Sequence, residues 1–170
     1  AFEALGAALL FIGFLPRLDG AGEAAYYAMF HAVSAFCNAG FALFTTSFEQ
    51  FASSPLINLT ICFLIIFGGI SFVVFVNLAE RSRDFVERSI RGKSIFVRKL
   101  TLNTRVVLAV SGVLIAAGML IFYALEHGNV LRSYGTGTQY LSAFFQSVTL
   151  RTAGFNTVSM SDLRVGTYLM

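Results

Sequence analysis

Apolar and polar positions alternate along this chain in long blocks. No charged residue occurs between Glu49 and Glu80, and the densest apolar stretch there covers residues 56–79. A second uncharged stretch covers residues 106–125. Crossing a hydrocarbon layer of roughly 30 Å takes about 20 apolar helical residues, so both stretches predict membrane spans. Residues 4–15 are apolar but too few to cross alone, and they read as the tail of such a helix. Residues 24–36 and 138–150 have helical composition, but about 13 residues give a rise of only roughly 20 Å. Helices of that length predict partial insertion into the bilayer followed by a turn back.

Each short segment leads into the same tripeptide, Ala39-Gly40-Phe41 and Ala153-Gly154-Phe155, and at an offset of 114 residues the stretch 30–41 aligns without gaps on 144–155. The tail at 4–15 aligns by the same offset with the latter part of the second span. The chain therefore reads as two copies of one unit: a membrane helix, a half-helix, a glycine turn and a polar return. Non-helical backbone is tolerated at membrane depth only where protein buries it or it lines a watery cavity, because each unsatisfied group costs several kcal/mol in lipid. Glycine at the turn permits positive φ and close backbone approach, so carbonyls can converge.

Composition agrees with a lipid setting: 56% of residues are hydrophobic, 12% are charged and there are 19 Phe. The net charge of +3 does not mark a nucleic-acid partner, because eight of the twelve basic residues (Arg81, Arg83, Arg88, Arg91, Lys93, Arg98, Lys99, Arg105) fall between the two spans. Short loops rich in Lys and Arg stay cytoplasmic, so loop 80–105 is expected inside and Gly40 and Gly154 toward the outer face. Cys37 and Cys62 match neither a disulfide framework nor a zinc set, and they read as free thiols. No cleavable signal is visible at the start of the chain. An enzyme is not indicated, since the chain has no phosphate-binding glycine loop, no metal-ligand spacing and no nucleophile beside a base.

The arrangement of helix, pore loop and helix, with F-H-A-V-S-A-F-C-N-A-G-F at 30–41 and S-V-T-L-R-T-A-G-F-N-T-V at 147–158, resembles the Trk/Ktr/HKT superfamily of potassium transporters, and within it the membrane subunit of bacterial Ktr systems. The likeness covers essentially the whole chain, including Lys99-Leu100-Thr101-Leu102 at the start of the later span. It implies an all-α membrane protein of repeated helix–pore-loop–helix units, part of a pseudo-fourfold, potassium-channel-like pore. Residues 1–83 would be the end of a first helix, the pore loop and the second helix of repeat two. Residues 84–100 would be a basic cytoplasmic connector, and 101–170 the first helix and pore loop of a truncated repeat three.

The same resemblance implies potassium translocation through a selectivity filter. Backbone carbonyls of Asn38, Ala39, Gly40 and Phe41, and of Thr152, Ala153, Gly154 and Phe155, would replace the ion's hydration shell, flanked by Cys37, Arg151 and Asn156. In this superfamily glycine at the filter goes with potassium and serine with sodium. No cofactor is expected beyond the transported ion, potassium or sodium. The implied partners are the remaining repeats of the pore, a second copy in a homodimer, a cytosolic nucleotide-binding ring of RCK type, and the lipid bilayer of the inner (plasma) membrane. A sodium-coupled or sodium-permeable carrier of the same superfamily and a non-conducting scaffold subunit are the alternatives. Repeats running in the same orientation favour a channel-like pore over carriers built on inverted repeats.

Several single residues carry two readings. Glu49 and Asp162 either concentrate cations near an outer mouth or are solvated loop acids. His31 either packs its helix through a hydrogen bond or senses ions. Arg151 either pairs or snorkels, or positions the filter. Gly68-Gly69 is either a close-packing site or a hinge, and the family's usual G-G-x-G-F-P-V is altered here at Ser71 and Val73. Cys62 and Met119 are expected to pack against neighbouring helices.

Overall fold

The computed structural model describes residues 1–70, 72–91 and 99–169, and all regular structure among them is helical. The basic connector therefore lies partly outside the described residues, as do Lys93, Arg98, Ser71 and Met170. The α-helices are α1 (Phe2–Phe14), α2 (Ala21–Phe36), α3 (Pro55–Gly69), α4 (Phe72–Arg91), α5 (Leu102–Glu126) and α6 (Thr136–Thr149). The chain divides into two compact units, Ala1–Gly69 with Leu114–Met170, and Ile70–Val113.

In the first unit, α1 ends where Pro16 follows. The Arg17 guanidinium donates to the Gly13 carbonyl at 2.7 Å, a cation placed on the negative end of the helix dipole. α1 packs on α3 through two glycine notches. A Cβ on Gly6 would lie 2.6 Å from the Leu64 side chain, and one on Gly13 would lie 2.7 Å from Ile57. Small residues that let backbones approach closely are the usual means of helix packing where lipid gives no hydrophobic drive. α3 starts with Pro55 at the first helical position, where its missing N–H costs nothing. The Asn58 amide then donates to the Phe51 and Ala52 carbonyls at 2.9 and 3.0 Å, tying the preceding 3-10 turn (Glu49–Phe51) to the helix.

A ring cluster of Phe14, His31, Phe44, Phe48 and Phe51 fills the space between these elements, with neighbouring centroids 4.9–6.4 Å apart. A second cluster gathers Phe122, Leu131, Ala143 and Val158, with Met119 packed against it. Cys62 is buried in the larger cluster, and both cysteines are free thiols.

In the second unit, Thr101 caps α5, its hydroxyl accepting the Thr104 N–H at 3.3 Å. α4 passes from an apolar first half to a charged second half. There Arg83 and Glu87 pair at 3.5 Å on an exposed face, an interaction worth about 0.3–0.5 kcal/mol.

The apolar stretch 56–79 differs from the single span predicted: α3 stops at Gly69 and α4 starts at Phe72. Consecutive glycines at 68 and 69 are the weakest helix formers in the run, and an otherwise uniform apolar pattern hides such a break. α5, at 25 residues, is the one helix among the described residues that is by itself long and apolar enough to cross a membrane; α3 and α4 meet that test only as a broken pair.

Candidate functional site

The two glycine turns sit at the C-termini of α2 and α6, and their backbones follow one plan. α2 closes in a Schellman arrangement: the Ala39 N–H reaches the Ser34 carbonyl at 2.9 Å and the Asn38 N–H reaches Ala35 at 3.1 Å. Asn38 and Gly40 both take positive φ, 52° and 74°. In the second turn the aligned residues do the same, with Thr152 at 86° and Gly154 at 80°. Asparagine tolerates this region, whereas a β-branched threonine does so under strain of about 1–3 kcal/mol. The Ala153 N–H donates to the Thr149 carbonyl at 2.9 Å, closing the second turn on its own helix.

The turns face each other. A Cβ on Gly40 would stand 2.3 Å from the Ala153 carbonyl oxygen and 3.1 Å from the Gly154 Cα, and one on Gly154 would stand 3.4 Å from the Gly40 Cα. Residues 114 positions apart in sequence are thus brought backbone to backbone, and only glycine at position 40 leaves room for it. α3 closes one side: a Cβ on Gly68 would fall 1.8 Å from the Phe36 carbonyl oxygen, and one on Gly69 would fall 3.6 Å from the Asn38 amide nitrogen. Of the two readings of Gly68-Gly69, close packing is therefore realised, and its partner is the end of α2.

Side chains hold the first turn from behind. His31 is fully buried, its Nε2 accepting the Leu43 N–H at 3.1 Å. The ring proton therefore sits on Nδ1, which donates to the Tyr27 carbonyl at 2.7 Å. His31 is a neutral packing residue that ties the chain leaving the turn to α2. The Ser34 hydroxyl donates to the Phe41 carbonyl at 2.8 Å, fixing one of the four carbonyls expected to face an ion and leaving its second lone pair available.

The second turn is held differently. The Ser147 hydroxyl donates to the Ile115 carbonyl at 2.7 Å, anchoring α6 on α5. At the end of α5, the buried Glu126 carboxylate accepts the Arg164 N–H at 2.9 Å, the Thr167 hydroxyl and the Asn129 amide at 2.7 Å, so it holds the return segment after Gly154.

The two loops are also linked directly. Asn156 accepts the Phe48 N–H at 2.9 Å, donates its own N–H to the Ser47 hydroxyl at 3.2 Å, and points its amide at a Glu49 carboxylate oxygen at 3.4 Å. Phe48 meets Phe155 edge-on at 5.4 Å.

Cys37 is exposed beside the first turn. Arg151 and Thr152 line a cavity of about 80 Å³ with Ile65, Ile66 and Gly69. Glu49 and Asp162, far apart in sequence, line one polar recess of about 380 Å³. Tyr26, Met29, Val33 and Phe41 leave an apolar groove exposed along α2 and its turn. Sequence reasoning missed Glu126 and Ser34. For Glu126, an acid at the C-terminal end of an otherwise uncharged run was the available signal, since buried carboxylates need partners.

An all-helical chain with two short helices ending in apposed left-handed turns, and one helix among the described residues long and apolar enough to cross a bilayer, is consistent with an all-α membrane protein. The chain belongs to the TrkH family of cation transport proteins, which it matches over residues 1–170. It is 38% identical to the Ktr system potassium uptake protein B of Vibrio alginolyticus over 94% of its length and 32% identical to the protein of that name in Bacillus subtilis over 98%. It is also 32% identical to the potassium/sodium uptake protein NtpJ of Enterococcus hirae over 92% of its length. The chain spans 32–35% of these relatives' own lengths.

Proposed function

We propose that this chain supplies two quarters of a potassium-selective pore in a Ktr/Trk-type uptake system. Carbonyls of residues 38–41 and 152–155 replace the hydration shell of potassium. The observation that carries this reading is the apposition of Gly40 and Gly154, each at positive φ and each at the C-terminus of a short helix. The partial negative charge at those helix ends favours a cation by about 0.3–1 kcal/mol each, and up to about 2 kcal/mol in partly buried geometry. Bringing an ion into a low-dielectric interior costs on the order of 20 kcal/mol by the Born estimate, so carbonyl coordination and cavity water supply most of the offset.

In this reading the remaining repeats cover the apolar groove beside α2, two copies form a homodimer in the plasma membrane, and an RCK-type ring docks on the cytoplasmic side with the basic connector. The turns open outward, and the recess holding Glu49 and Asp162 concentrates cations at their mouth. The name of the Enterococcus relative favours one second reading, passage of sodium as well as potassium.

Rubidium uptake into potassium-depleted cells making the intact protein, measured against graded sodium, tests the filter. Gly40→Ser and Gly154→Ser are each expected to lower discrimination against sodium about tenfold, equivalent to about 1.4 kcal/mol of differential binding. Unchanged discrimination in both variants contradicts the assignment.

A further inference from the structure

We infer that Asn156 and the segment Ser47–Glu49 form a clip that sets the spacing of the two glycine turns, making Asn156 a positioning residue for ion discrimination. This rests on the filter reading above. Asn156 lies two residues beyond Gly154, and its carbonyl, its N–H and its side-chain amide all engage three consecutive residues of the other loop, at 2.9, 3.2 and 3.4 Å. The amide also reaches the Val158 carbonyl at 3.3 Å, which holds the side chain in its own loop while it reaches across.

Ser47 is prepared for this role at a conformational cost, with φ at 53°, a region that favours glycine. Phe48, whose N–H is one of the three links, is fully buried and packs against both Phe155 and Phe145, so the clip sits on a rigid base. A displacement of Asn156 therefore carries Gly154 with it relative to Gly40, where the backbones already touch.

Among the described residues the clip has no counterpart in the other direction. At the repeat offset Asn156 aligns with Ala42 and Ser47 with Ser161. Alanine offers no side-chain amide to reach across, so the side-chain link runs one way only, from the second loop to the first. Position 156 thus acts on both turns at once, and its substitution is expected to change discrimination where uptake of potassium itself is retained.

The test reverses the polarity of the side-chain link. Asn156→Asp removes the donor and sets two carboxylates against each other. Adding Glu49→Gln returns a donor from the opposite side. In the intact protein, with uptake normalised to the amount in the membrane, Asn156→Asp is expected to lower the ratio of sodium to potassium half-saturation about three- to tenfold. Glu49→Gln alone loses less, since it keeps an acceptor, and the double variant is expected to regain more than half of the ratio lost in Asn156→Asp while stopping short of the parent, because the Val158 carbonyl stays without its donor. Ser47→Ala, a milder change that leaves the fold intact, is expected to be sub-additive with Asn156→Asp.

A double variant as impaired as the product of its singles overturns the clip, and so does an unchanged ratio in Asn156→Asp. Gly40→Ser and Gly154→Ser run alongside separate the two failures. If they alter discrimination while the swap stays additive, the clip alone is wrong; if they do not, the filter reading fails first.

Discussion

The two glycine turns share a backbone and differ in nearly everything that supports it. Left-handed φ recurs at aligned positions, 38 with 152 and 40 with 154. The residues behind the first turn, His31 and Ser34, align with Phe145 and Val148, which are buried and apolar. The first turn is held by its own half-helix, through the His31 ring and the Ser34 hydroxyl, and by α3 at Gly68. The second is held at a distance, by Ser147 on α5 and by Glu126 on the return segment. The difference indicates that the main-chain shape of the turn is the retained feature, with side chains free to supply support by unlike chemistry. That is the expected pattern where carbonyls, and not side chains, meet the ligand.

The comparison can be broken at several points. The largest effect is expected from Gly40→Ala, which adds strain of about 1–2 kcal/mol for positive φ and an overpacking cost of about 1–3 kcal/mol against the Ala153 carbonyl. Gly154→Ala meets its neighbour at 3.4 Å, an ordinary contact, so it keeps more uptake. Equal loss in both would remove the steric basis of the asymmetry. Next comes Gly68→Ala, whose methyl has no room beside the Phe36 carbonyl. Thermal unfolding in detergent is expected to show destabilisation of about 1–3 kcal/mol.

Smaller again are two changes that separate the supports. His31→Phe, which installs the residue of the other repeat, leaves the Leu43 N–H without its acceptor at a cost of about 1–3 kcal/mol, and it is expected to speed amide exchange at residues 41–44. Glu126→Gln keeps one acceptor oxygen for Arg164 and Thr167 and loses less; its exchange signature falls on residues 160–167. Protection changes appearing in the opposite loop would mean that the supports are not local.

How much of this was legible in the sequence depends on range. The two short helices and the turns that end them could be read, because a repeated tripeptide, a short apolar segment and glycine's conformational freedom are local signals. α2 starts at Ala21, three residues ahead of the stretch that composition indicated, and α6 covers Thr136–Thr149 against the predicted 138–150. The break between α3 and α4 was hidden by uniform apolarity. The Glu126 network was illegible because its partners lie 38 and 41 residues away. The Asn156 links, at separations of 107 and 109, were illegible for the same reason. Hydrogen-bond partners brought together by tertiary packing leave no periodic trace.

The central claim is that main-chain oxygens of both turns converge on one ion. The most direct measurement is anomalous diffraction from crystals of the intact protein grown in rubidium. A rubidium peak in coordination with carbonyls from both 38–41 and 152–155 is the predicted result. A well-ordered pair of turns with rubidium bound elsewhere, or with the carbonyls facing away from a shared axis, would contradict it.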